Sequence, residues 1–114
     1  MKTNLDGFNV KEITLYTEQD IQPGMTVTID DDYKAVIPED CMRFTGICTG
    51  RKGDYITVAV SGVMTARFSS ANLSPGYNSI SADGNGNLKL DGNTAIETLV
   101  LEFDKNAKLV KILL

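Results

Sequence analysis

The chain of 114 residues is 42% apolar and 23% charged, with a net charge of −4. These are the proportions of a folded domain and exclude a disordered chain, while the scattered basic residues disfavour nucleic acid and anionic membranes as partners. There is no histidine, which removes the usual general base and nitrogen ligand and rules out Ser-His-Asp and Cys-His sites.

A chain of this length makes one domain that buries roughly two-thirds of its unfolded surface. Residues 1–9 are polar with one glycine and read as a flexible arm. Ile13 and Leu15 alternate with polar residues between Val10 and Thr17, a pattern that could form a first strand. The arm is drawn through residue 15, with a single β domain from 16 to 114. Pro23-Gly24 makes a turn, in which proline presets φ and glycine accepts a positive one. Met25, Val27 and Ile29 then alternate with threonines as a strand. Asp30-Asp31-Asp32 is read as a solvated hairpin turn, and Tyr33–Ile37 as the returning strand, stopped by Pro38. Phe44–Thr49 is a short apolar strand, followed by the polar turn Gly50–Asp54.

The chain is organised around the next stretch, Tyr55–Phe68. Ile56, Val58 and Val60 point to one face, and few residues opposite them are charged, so both faces are expected to be covered. Gly62 interrupts the run and marks a bend in one long strand. Beyond it, Tyr77–Ala82 and Leu88–Leu90 flank the turn Asp83–Asn87; Leu99–Phe103 and Leu109–Leu114 close the chain. The expected fold is all-β, a small barrel or sandwich of about eight strands.

A faint internal echo accompanies this order. The elements after Pro23-Gly24 (strand, turn, three strands) recur after Pro75-Gly76, roughly fifty residues on. If the echo is real, two similar four-strand halves surround one core.

The two cysteines, Cys41 and Cys48, have neither the spacing of a metal knuckle nor a disulfide framework. Both are expected to be buried reduced thiols. Asp83-x-Asn85-x-Asn87 resembles the start of a calcium loop, but Leu88 stands where the sharp-turn glycine belongs and Thr94 where a bidentate glutamate belongs. Turn chemistry explains the same residues, so no metal and no cofactor are expected. No pair of side chains singles itself out for catalysis, and a non-enzymatic protein is expected. The first residues lack the apolar core of a signal peptide, and synthesis in the bacterial cytoplasm is expected. Phe8 and Val10, apolar residues in a polar terminus, either fold back on the domain or dock on another chain by strand addition.

Ile21–Gly24, Phe44–Cys48, Arg51–Asp54, Val58–Val63 and the ending Leu109–Leu114 resemble a family of small phage and prophage proteins encoded among head genes. That family is similar in size and strand pattern to the head-decoration proteins of lambda-like tailed phages. The resemblance implies a homotrimer that binds the major capsid protein and stabilises the virion capsid surface. It also implies an N-terminal arm that orders by adding a strand, with Phe8, Val10 and Ile13 as docking residues. The alternative is a small β-barrel module for a carbohydrate or other ligand. The four tyrosines are spread too evenly along the chain to favour it.

Overall fold

The computed structural model describes residues 10–70, 72–91 and 96–114. It holds ten strands: β1 (Lys11–Tyr16), β2 (Thr26–Ile29), β3 (Ala35–Val36), β4 (Gly46–Lys52), β5 (Tyr55–Ser61), β6 (Val63–Arg67), β7 (Gly76–Ala82), β8 (Leu88–Leu90), β9 (Ile96–Asp104) and β10 (Leu109–Leu113). They form two five-stranded sheets, in the orders β1-β5-β4-β2-β3 and β6-β10-β9-β7-β8. All pairings within the strands are antiparallel. The sheets pack as a sandwich and do not close into a barrel.

Adding five to each strand number of the first sheet gives the order of the second. The agreement extends to irregularities. The β4–β5 ladder passes over Thr49, between the pairs Cys48↔Val58 and Gly50↔Thr57. The β9–β10 ladder passes over Leu101, between Val100↔Ile112 and Glu102↔Lys111. One parallel bridge in each half brings the end of its first strand onto its third, Thr17↔Ala35 and Phe68↔Leu88.

The hairpin turns also match. The Asp30 N–H donates to the Lys34 carbonyl at 3.0 Å, and the Asp83 N–H to the Asn87 carbonyl at 3.0 Å. Asp30 Oδ1 accepts from the Asp32 and Lys34 N–H groups, as Asp83 Oδ1 does from those of Asn85 and Asn87. An aspartate at the start of a turn satisfies backbone donors that the ladder leaves open. The echo is therefore a structural duplication. It is one strand larger than the sequence suggested, because β6 is the counterpart of β1 and not an extension of β5. Gly62, with φ 98°, is the point where the chain leaves one sheet for the other. It exchanges both backbone hydrogen bonds with Leu114 there, at 3.1 and 3.0 Å.

Two apolar clusters fill the molecule. One lies on the inner face of the first sheet, where Met25, Val27, Cys48, Ile56 and Val58 pack with Ile21 and Ala35. The other joins the inner face of the second sheet (Met64, Ala66, Ile80, Val100, Val110, Ile112) to Ile47 and Ala59 of the first. Successive residues of a strand face opposite ways, so Ile47 and Ala59 lie on the outer face of the first sheet. The halves thus pack outer face to inner face. Both faces of β5 are covered, which is why it is apolar on both.

Some expected strands are shorter. The return after the aspartates is only Ala35–Val36, because Tyr33 belongs to the turn with φ 62°. Cys41 is not buried. It lies in an irregular segment after Pro38, exposed and with φ 65°, while Cys48 is buried, and the two form no disulfide.

Candidate interaction surface

Of the three expected docking residues, Phe8 lies outside the described residues. Val10 is half-buried and packs against the second cluster. Ile13 sits on β1, opposite Val58, with 39% of its surface exposed. The boundary drawn at residue 15 falls inside β1, which is hydrogen-bonded to β5 along its length.

A groove of about 580 Å³ separates the halves. Its walls include Val10, Glu12, Cys48, Ala59, Met64 and Arg67. The Arg67 side chain lies over Gly24, where a Cβ would stand 3.2 Å from its Cγ. The Arg67 N–H donates to the Gly24 carbonyl at 2.9 Å. Glu12 accepts a hydrogen bond from the Thr49 hydroxyl. Burial pushes the Cys48 thiol above its usual range, and it donates to the Gly50 carbonyl at 3.4 Å. A protonated, occupied thiol is a poor nucleophile. With one carboxylate and one guanidinium at its rim, the groove brings no acid–base pair together.

The calcium-like turn is likewise occupied. Burial alone would raise the Asp83 carboxyl, but the N–H groups of Asn85 and Asn87 and the Asn87 side chain hold it below the usual range. Among the described residues, no group of three or more His, Cys, Asp or Glu side chains could hold a metal ion.

Register brings together residues that are distant in sequence. Tyr16 and Tyr55 are cross-strand neighbours with ring centroids 5.6 Å apart and planes at 72°. Edge-to-face packing of this kind stabilises the sheet edge, and it does not offer two coplanar faces to a sugar.

A second exposed apolar feature is a row across the outer face of the second sheet: Tyr77, Leu99 and Leu113, paired in that order. Tyr77 is 72% and Leu113 41% exposed, and Leu99 is half-buried. The same row in the first sheet is Thr26, Ile47 and Ala59, all fully buried. Sequence reading missed the exposed row, although a signal was present. Leu109, Leu113, Val110 and Ile112 make the closing strand apolar on both faces.

No family model matches the chain, and no curated protein does. Among solved structures, the fold is similar to the crystal structure of the head fiber gp8.5 N base of bacteriophage phi29, with a TM-score of 0.68 and 12% identity. The likeness covers 92% of this chain and 93% of that one. The two share a fold over nearly their full lengths.

Proposed function

We propose that the protein is a non-enzymatic structural component of a phage or prophage head, a homotrimer that binds the major capsid protein at the capsid surface. One observation carries the reading: the whole two-sheet architecture is similar to the base of a phage head fiber across 92% of the chain. The sequence resemblance to head-gene products supports it independently. Physical chemistry is consistent with it. A capsid repeats one site many times, so modest contacts gain from effective concentration, and the protein offers exposed apolar surface to such contacts. The N-terminal residues 1–9 supply the docking strand in this reading.

The test is co-sedimentation of the purified protein with expanded heads built from the major capsid protein of the same phage. Full-length protein is expected in the head fraction. A variant lacking residues 1–9 keeps β1, folds, and stays at the top of the gradient. Absence of the full-length protein from the heads would end the reading; full attachment of the truncated one would end the role of the arm.

A further inference from the structure

We infer that the exposed row Tyr77–Leu99–Leu113 is covered by β1 of a second copy of this chain, in a head-to-tail contact that repeats the one between the two halves. The inference concerns the copy-to-copy contact within the proposed oligomer, and it does not depend on what that oligomer binds.

The duplication supplies the template. Within the chain, the outer row of the first sheet (Thr26, Ile47, Ala59) is sealed by the second sheet, and β4 packs against β6. The counterparts of β4 and β6 are β9 and β1. Repeating the contact between molecules therefore sets β9 of one copy against β1 of the next. In the single chain β1 is largely exposed, and the outward-facing Leu99 of β9 is only half-buried. Every residue of β6 from Val63 to Ala66 is buried or half-buried, whereas β1 is exposed at five of its six positions.

Ile13 shows this at one residue. It pairs with Val58 as Met64 pairs with Ile112, so Ile13 and Met64 are counterparts. Met64 is 3% exposed and Ile13 39%. On the other partner, the buried row Thr26–Ile47–Ala59 corresponds to Tyr77–Leu99–Leu113, in which Tyr77 and Leu113 are larger than their counterparts and exposed while Leu99 is half-buried. Each copy thus carries one unfilled socket and one unburied plug of the same design. A plug and socket on opposite ends make a heterologous contact, which closes into a ring when its rotation allows. A ring of three copies contains six quasi-equivalent sheets and six joints, three within chains and three between them, all of the same local geometry.

Two variants test it, each at an exposed position: Ile13→Glu in the plug and Leu113→Glu in the socket. Circular dichroism checks that both fold, and sedimentation velocity without any capsid reads their mass. Wild type is expected as a closed oligomer and each variant alone as a monomer. An equimolar mixture of the two is expected to give a one-to-one dimer, because the variants retain complementary intact faces and the chain of contacts then stops. A monomeric wild type would overturn the inference. An Ile13→Glu variant that stays oligomeric, or a mixture that stays monomeric, would overturn it as well.

Discussion

Two buried threonines should respond in opposite directions to the same substitution. Thr17 and Thr26 are both fully buried. The Thr17 hydroxyl donates to the Ala35 carbonyl at 2.8 Å and accepts from the Gln19 N–H at 3.1 Å. Thr26 Oγ1 has no hydrogen-bond partner among the described residues. A buried hydroxyl without a partner costs about 1–3 kcal/mol of desolvation, and removing one partner of a buried bond costs a similar amount. Thr26→Val is therefore expected to stabilise the fold by about 1 kcal/mol after allowing for the added methyl group, and Thr17→Val to destabilise it by about 1–3 kcal/mol. At the usual unfolding entropy per residue, a chain of this length moves by roughly 4 °C per kcal/mol. Thermal melts should rise by about 4 °C for Thr26→Val and fall by about 4–12 °C for Thr17→Val. Urea titration should show shifted midpoints at unchanged slope. If Thr26→Val lowers the midpoint as Thr17→Val does, the Thr26 hydroxyl is satisfied and the reasoning fails.

Glycine positions give a second contrast. A Cβ at Gly46 would stand 2.3 Å from the Ala59 carbonyl oxygen, so Gly46→Ala should cost several kcal/mol or prevent folding, at least the roughly 1–3 kcal/mol of ordinary overpacking. Gly53 has open space and φ 61°, so Gly53→Ala should cost only about 1–2 kcal/mol of left-handed backbone strain, read by the same melts. Because the folded Asp83 carboxyl titrates below its unfolded value, its contribution is present above about pH 4 and lost as pH falls through the folded value. Asp83→Asn should flatten the acid limb of a stability-versus-pH curve; an unchanged limb would show that the turn bonds do not report on folding. Native alkylation should modify one thiol, Cys41, and reach Cys48 only after denaturation. Mass spectrometry showing Cys48 labelled first would contradict the burial.

Turn chemistry and strand alternation made much of the fold legible. Asp30 and Asp83, Pro23-Gly24 and Pro75-Gly76, and the alternation of Ile56, Val58 and Val60 each signal a local structure that tertiary packing had no reason to override. Gly62 was legible as a bend and misread as a bend within one strand. A glycine with positive φ looks the same in sequence whether the chain continues in its own sheet or enters another; only the pairing of β6 with β10 distinguishes them. Cys41 was misplaced because its apolar neighbour Met42 suggested a core position, whereas the segment after Pro38 runs over the surface.

The duplication was faint in sequence for a physical reason that also bears on the surface. Equivalent positions do equivalent backbone work, but their side chains meet different surroundings. Where the second sheet presses onto the first, the row must be small or snug: Gly46 leaves no room for a Cβ, and Ala59 and Thr26 occupy positions whose counterparts are Leu113 and Tyr77. Relaxing that constraint in the second half permits large side chains, yet relaxation alone would equally permit lysine or glutamate. Leucine and tyrosine in solvent forgo the stabilisation of roughly 25 cal/mol per Å² that burial would bring. Leucine and tyrosine on a face whose twin is a packing surface are the side chains that a second interface calls for and that an unconstrained face does not.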